Sequence, residues 1–184
     1  MERYGLLTII VLGESILAAS VAIQAALGES HGVGPLLPLI AGGLVIVYSM
    51  WWLYFDTPKD ALENSFPRAV LWGYGHYFIF ASVAAVGAGL AVAADRATQH
   101  AGVSVTVAGA AIAIPVTVFL WTLWLLNDQR GYGAMRVVGP IAGLIVLATP
   151  FTGHTIPTTA AILAALVTLK VAVKHRNYRN VSPS

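Results

Sequence analysis

The chain has no cysteine and little charge. Without cysteine, disulfides, thiolate metal sites and cysteine nucleophiles are all excluded. Charged residues make up only 10% of the chain, whereas a soluble domain carries about 25% because it must maintain a solvated surface. The mean hydropathy of +0.77 agrees with this deficit. The composition therefore predicts an all-α polytopic bundle of transmembrane helices, with lipid as its solvent.

Motifs for catalysis and cofactor binding are also absent from the sequence. It has no HExxH, no phosphate-binding glycine loop and no Ser/His/Asp order with a local signature. An isolated histidine cannot hold zinc, which needs three or four protein ligands. The net charge of +2 is too small, and the basic residues are too scattered, to follow nucleic-acid phosphates. The sequence thus predicts no enzyme, no metal or other cofactor and no nucleic-acid partner.

Long apolar runs are what the chain does have. A transmembrane helix needs about 20 apolar residues, and the polar residues fall mostly in short linkers between the runs. The fifth run is short and is flanked by Pro140 and Pro150, so it either spans, re-enters, or pairs with the sixth run as a hairpin. The sequence predicts a single transmembrane domain of about six helices, over Gly5–Leu27, Pro35–Phe55, Val70–Ala94, Val103–Leu126, Val137–Phe151 and Ile156–Val173.

The basic residues predict the orientation. If the six runs alternate across the membrane, nine of the ten Lys and Arg residues lie on one side and only Arg96 lies on the other. Lys and Arg are retained on the cytoplasmic side, so both termini are predicted to be cytoplasmic. The tail from Lys170 to Arg179 is either a stop-transfer anchor or a docking patch for anionic lipid. The nine residues are Arg3, Lys59, Arg68, Arg130, Arg136, Lys170, Lys174, Arg176 and Arg179.

Glu14 lies near the middle of the first run. A carboxylate at mid-membrane costs ~2.5 kcal/mol or more, so we expect it to face the bundle interior or a wet cavity and to have a partner. Its protonated form is favoured in such a place, which makes Glu14 a candidate proton or cation site. The alternative is a structural role, in which a protonated Glu14 hydrogen-bonds helices together.

Arg3 precedes Glu14 by eleven residues. At 100° per residue this spacing places both side chains within about 20° of one helical face, ~16 Å apart along the axis. They are therefore too far apart to pair. Arg3 either lies at the mouth of a pathway that Glu14 lines or is an ordinary cytoplasmic anchor.

Asp56 ends the second run on the same helical face as Tyr48 and Trp52, since the three are spaced by four. The aromatic residues are typical of an interfacial belt. An acidic residue does not help such a belt to anchor the helix. Asp56 is therefore either a residue of the ion or substrate pathway or a solvated charge at the membrane edge. We also expect Asp56 to lie opposite Arg68 across the loop that follows.

His76 lies about two turns into the third run, in a series spaced by four with Arg68, Trp72 and Phe80. A histidine can change charge near neutral pH, which makes His76 a candidate proton carrier. The more common role of a single histidine in a helix is a hydrogen-bonded packing residue. Later on the same helix, small residues spaced by four predict a close helix contact: Ala81, Ala85, Gly89 and Ala93.

Three stretches resemble those of a known family. The stretch Glu2–Ser15, ERYGLLTIIVLGES, is similar to a signature of the bacterial low temperature requirement A family, and the segments Trp51–Asp56 and Gly75–Tyr77 support it. The resemblance implies an inner-membrane protein linked by name to growth in the cold, and it implies that this chain corresponds to the C-terminal half of members about twice its length. It draws attention to Glu2, Arg3, Gly13, Glu14 and Asp56.

Two functions follow as hypotheses. The first is a proton- or ion-coupled transporter, or half of one, with Glu14 as the titrating residue. The second is a membrane sensor or structural protein linked to cold or stress growth, in which Glu14 and His76 only join helices. The expected partners are the lipid bilayer and either a second copy of the chain or the missing N-terminal half that the resemblance implies.

Overall fold

The computed structural model describes residues 2–29, 34–56, 66–97, 102–126 and 135–181. Within these ranges the chain is helical and contains no strand. Short 3-10 turns lie at Gly34–Leu36 and Thr149–Thr152. The helices are α1 (Glu2–Glu29), α2 (Leu37–Phe55), α3 (Phe66–Ala97), α4 (Val105–Leu126), α5 (Met135–Ala148) and α6 (Thr155–Val181).

The long helices follow the apolar runs and extend past some of them. Among the described residues, five helices (α1 to α4 and α6) are long and apolar enough to cross a membrane. Helix α3 begins at Phe66 rather than at Val70, and α6 continues to Val181 rather than ending at Val173. A helix does not stop where apolar residues stop, because its backbone hydrogen bonds continue into the polar zone.

The helices alternate in direction, so one end of the bundle collects most of the described positive charge. At this end the start of α1 meets the start of α3, where the rings of Tyr4 and Trp72 lie 4.8 Å apart. The ends of α2 and α6 meet there through Asp56 and Lys174. We call it the basic end, and we call the opposite end, with Asp95, Arg96 and His154, the far end. The basic residues at the basic end whose side chains the structure describes are Arg3, Arg136, Lys170, Lys174 and Arg176.

The short helix α5 runs the full height of the bundle with the help of a 3-10 turn. It begins beside the end of α4, where Trp124 donates to the carbonyl of Arg136. The turn Thr149–Thr152 ends beside the start of α4, where Pro150 packs against Gly109. Fourteen α-helical residues and four 3-10 residues together rise about 29 Å, close to the ~30 Å hydrocarbon thickness.

Two prolines inside helices leave carbonyls without their usual donors, and a side chain of the neighbouring helix supplies a donor to one of them. Pro140 lies inside α5 and cannot donate to the carbonyl of Arg136, four residues earlier. The indole Nε1 of Trp124 donates to that oxygen at 2.8 Å. Pro115 inside α4 similarly frees the carbonyl of Ala111. Gly89 of α3 comes so close to this oxygen that an added Cβ would lie 2.4 Å from it.

Glycines on α3 set the closest helix contacts. Gly87 faces α1, where an added Cβ would lie 2.8 Å from the Cα of Ser15, and Gly89 faces α4. The predicted stripe is only partly in contact, because Ala81 and Ala85 are exposed. A spacing of four drifts by about 40° at each step, so the four stripe residues cannot all face one neighbour.

Candidate functional site

Helix α1 packs on the bundle with one polar face. Thr8, Leu12, Ser15 and Ala19 are buried on this face. The Ser15 hydroxyl lies 2.9 Å from the carbonyl of Val11 in its own helix and 2.9 Å from that of Val83 in α3. Small residues on both sides, with Gly87 opposite Ser15, let the two helices approach closely. The hydroxyl-bearing face of α1 is therefore the one that the bundle covers.

Glu14 lies on the other face of α1 and is exposed. Of the two predicted positions, the interior of the bundle is wrong for the described part of the chain, while a wet cavity stays a prediction. At 100° per residue, Glu14 is about 100° from Ser15 and about 160° from Leu12, so packing these two against α3 turns the carboxylate outward. Among the described residues it forms no hydrogen bond and no ion pair.

Arg3 is also exposed, on the same outward side of α1 and toward the basic end. The eleven-residue separation leaves it ~16 Å from Glu14 along the helix axis. The two residues therefore mark one side of the helix but do not form a common site.

His76 is buried in an aromatic cluster at the junction of α1, α2 and α3, with 2% of its surface exposed. Its Nδ1 lies 2.7 Å from the carbonyl of Trp72. A carbonyl only accepts, so Nδ1 carries the proton, and in the neutral imidazole Nε2 accepts from the Tyr54 hydroxyl at 3.1 Å. The ring of Tyr4 lies 4.8 Å from the imidazole, and that of Phe80 lies 5.9 Å from it.

The three stretches that carry the family resemblance meet at this cluster. The first contributes Tyr4 and Thr8, the second Tyr54 and the third His76. Thr8 is buried on the inner face of α1, and its hydroxyl donates to the carbonyl of Tyr4 at 2.9 Å. The sequence predicts His76 but not its partners, because Tyr54 looks like one more belt aromatic and Thr8 like a routine helix residue. The sequence does contain one indication of this contact: Thr8, Tyr54 and His76 each lie in one of the three stretches that resemble the family.

Asp56 joins α2 to the C-terminal helix at the basic end. Its carboxylate lies 2.5 Å from Nζ of Lys174, with 19% of the aspartate side chain and 52% of the lysine side chain exposed. The predicted approach of Arg68 to Asp56 stays a prediction, since the Arg68 side chain lies outside the described residues. Trp52, one turn earlier, has a buried indole Nε1 without an acceptor in the part of the chain that the structure describes.

The four predicted site residues therefore occupy three separate places. Glu14 and Arg3 are on the outer face of α1, His76 is in the aromatic cluster, and Asp56 is in an ion pair with Lys174. Across the described ranges, no three His, Asp or Glu residues come close enough together to hold a metal ion.

Two cavities lie away from these residues. One of about 300 Å³ opens at the far end between α2, α3, α4 and α6, with Arg96 and His154 in its lining. The Arg96 guanidinium donates to the carbonyl of Val103 at 2.8 Å. A second cavity of about 270 Å³ is an apolar groove between α1 and α2, lined in part by Ser20 and Gln24.

Comparison with known proteins identifies the family. A family model described as "Bacterial low temperature requirement A protein (LtrA)" matches residues 1–173. Neither the curated proteins nor the solved structures yield a match. The match covers nearly the whole chain, including all three stretches that converge on His76, and it agrees with the long apolar helices of a multi-pass membrane protein. The chain therefore belongs to the bacterial low temperature requirement A family.

Proposed function

We propose that this chain is a proton- or cation-coupled transporter of the bacterial inner membrane, or one half of such a transporter, with Glu14 as its titrating residue. One observation carries the proposal. Glu14 lies midway along the apolar span Arg3–Ala25, on the outer face of α1, without a partner among the described residues. An ionisable residue at that depth is expensive and is usually functional.

The location of Glu14 puts the pathway at the edge of this bundle. A carboxylate on the outer face of α1 can exchange a proton or a cation only if water reaches it, and lipid supplies none. A second bundle covering α1 would enclose the carboxylate in a shared pathway. Arg3, on the same side at the basic end, would then lie at the mouth of that pathway.

His76 has a structural role in this proposal. Both of its ring nitrogens have hydrogen-bond partners, and it is almost fully buried. It joins α2 and α3 and supports the start of α1 through Tyr4. Asp56 likewise fastens α2 to α6. The proposal assigns no covalent chemistry to the chain.

A second candidate function is a non-transporting sensor or structural protein for growth under cold or other stress. The burial of His76 favours it, because a proton carrier must exchange its proton with water or a substrate and only 2% of the His76 surface is exposed. In this case Glu14 would be only a protonated hydrogen-bonding group.

Flux measurements on two Glu14 variants separate these functions. Glu14→Gln keeps the shape and the hydrogen bonding but cannot titrate. The transporter proposal predicts that Glu14→Gln inserts normally yet loses pH-driven proton or cation flux in proteoliposomes, along with any complementation of growth in the cold. The control is Ser20→Ala on the same helix, because the Ser20 hydroxyl donates only within α1, to Ile16. Wild-type flux and growth for Glu14→Gln, with failure for Glu14→Leu, would support the structural role instead.

We propose in addition that both termini are cytoplasmic. The basic end includes Arg3, Lys174 and Arg176, while Arg96 is the basic residue in the described part of the far end. Positive residues are retained in the cytoplasm, so the basic end faces inward. Reporter fusions after Ser184 and between α3 and α4 should report opposite sides of the membrane. A periplasmic signal from the fusion after Ser184 would contradict the orientation.

A further inference from the structure

The larger of the two cavities described above is enclosed by four helices, and we call it the far-end cavity. It lies between α2, α3, α4 and α6 and has a volume of about 300 Å³. Ligand pockets range upward from roughly this size, so the far-end cavity can hold a small molecule. Its described lining is mostly apolar, and the polar side chains in it are Arg96, His154 and Thr155.

Arg96 brings a full positive charge to the far-end cavity. Its side chain is half-buried, and one of its N–H groups donates to the carbonyl of Val103 at 2.8 Å. A guanidinium has five such donors. Among the described residues no carboxylate forms an ion pair with Arg96, and the described lining contains no Asp or Glu. A cation beside apolar walls is costly unless an opposite charge compensates it, so the cavity favours an anion.

Three helices begin at the far-end cavity and add to its positive field. First-turn residues of α2, α4 and α6 all lie in its lining, among them Leu39, Val105 and Ile156. A helix start carries a positive partial charge from its unpaired N–H groups. Of the helices that line the cavity, α3 is the one that ends there, and Arg96 in its last turn offsets the negative partial charge of that end.

We propose that the far-end cavity binds a small organic anion, a monocarboxylate with an apolar body. The carboxylate accepts from Arg96, whose planar fork of N–H groups suits two oxygens, and from His154, since an imidazole keeps an N–H donor in either charge state. The apolar body lies against the walls that Leu39, Ala108 and Ile112 provide. The site does not depend on proton or cation transport, because binding needs only the cavity and its charges.

A free anion and the headgroup of an anionic lipid share part of this chemistry. The apolar walls favour the free anion, because a lipid leaves its apolar chains in the bilayer and would place only polar atoms inside the cavity. A monocarboxylate with an apolar body instead matches both the guanidinium and the walls.

Equilibrium binding of benzoate to the full chain tests the site. Benzamide has nearly the same shape without the charge and is the matched probe. In nanodiscs of phosphatidylcholine, calorimetry should show benzoate binding about tenfold tighter than benzamide. Arg96→Gln should weaken benzoate binding about tenfold or more, since it removes a charged hydrogen-bond donor. Arg136→Gln removes an exposed positive charge at the basic end and should leave the binding unchanged.

The opposite results would overturn the proposal. These are no benzoate binding, equal binding of the two probes, or an unchanged affinity in Arg96→Gln. Arg96→Lys keeps the charge and should bind benzoate more tightly than Arg96→Gln does. Equal losses in these two variants, with lowered melting temperatures, would show that Arg96 only holds Val103 in place, and this too would overturn the proposal.

Two further measurements establish where the anion binds and what its source is. Ala93→Leu fills part of a half-buried cavity wall without changing any charge, so it should weaken benzoate binding. Binding that survives Ala93→Leu would place benzoate outside the cavity and contradict the proposal. Adding phosphatidylglycerol to the nanodiscs should leave the affinity unchanged, whereas competition that depends on Arg96 would assign the site to a lipid headgroup. Glu14→Gln should bind benzoate like the wild type, so a failure of the transport proposal is seen separately.

Discussion

The indole N–H of Trp124 donates to the carbonyl of Arg136, which Pro140 leaves without a helical donor. This bond crosses from α4 to α5 at the point where α5 begins. It explains how a proline is tolerated in the shortest helix of the described bundle. It also contrasts with Trp52, whose buried indole N–H has no acceptor among the described residues.

The two tryptophans provide a matched pair of substitutions. Trp124→Phe removes the donor to the exposed Arg136 carbonyl and should lower the free energy of unfolding by ~0.5–1.5 kcal/mol, the net contribution of one hydrogen bond. Trp52→Phe removes a donor that has no acceptor among the described residues, so it breaks no described hydrogen bond and should destabilise less than Trp124→Phe. Thermal unfolding of both variants in the same detergent measures the difference. Equal destabilisation by the two substitutions would contradict the assignment.

The Tyr54 hydroxyl is expected to stabilise the junction of the first three helices. Tyr54→Phe leaves Nε2 of His76 without its donor in a buried site, at a cost of ~1–3 kcal/mol. Tyr48→Phe is the control, because Tyr48 is 59% exposed on the same helix. The variants can be ranked by the detergent concentration or temperature at which helicity is lost. A Tyr54→Phe variant as stable as Tyr48→Phe would show that the hydrogen bond contributes little.

Close helix contacts predict which glycines resist substitution. Gly89→Ala places a Cβ 2.4 Å from the Ala111 carbonyl, so the backbones must separate, and we expect destabilisation by ~1–3 kcal/mol. Gly13→Ala meets open space and should leave the fold unchanged or stabilise α1 slightly, because alanine favours helix more than glycine does. Melting temperatures of monomer in dilute detergent provide the comparison. Tolerance of Gly89→Ala together with damage from Gly13→Ala would reverse the expected order.

The ion pair at the basic end should be weak and sensitive to salt. Asp56→Asn removes the charge opposite Lys174, and because Lys174 is half exposed the loss should be ~0–1 kcal/mol and should shrink as salt increases. A double-mutant cycle with Lys174→Gln isolates the pairwise energy. A coupling that does not change with salt would indicate a buried pair and would contradict the exposed position.

The sequence predicts the fold well, because the runs of apolar residues map directly onto helices. The positions of the candidate residues follow less directly from the sequence. Along α1 the sequence offers two polar sides, one with Thr8 and Ser15 and the other with Glu14 and Gln24. The free-energy cost of a carboxylate in lipid would by itself favour burying Glu14 inside the bundle. The contact with α3 instead buries the side with Thr8 and Ser15, because Gly87 leaves room for Ser15. Such a choice depends on a neighbour 72 residues away in sequence, which local periodicity does not contain.

The turn after α5 has a consequence for how the protein is made. The Thr149 carbonyl accepts from Thr152 at 2.8 Å and from Thr155 in α6 at 3.3 Å, and the Thr149 and Thr159 hydroxyls lie 3.1 Å apart. Thr155 and Thr159 thus add contacts to the carboxyl end of α5 that form only when the start of α6 lies beside it. We therefore expect α5 to pack fully only after α6 has been synthesised, so that the last two helices settle in the membrane as a hairpin.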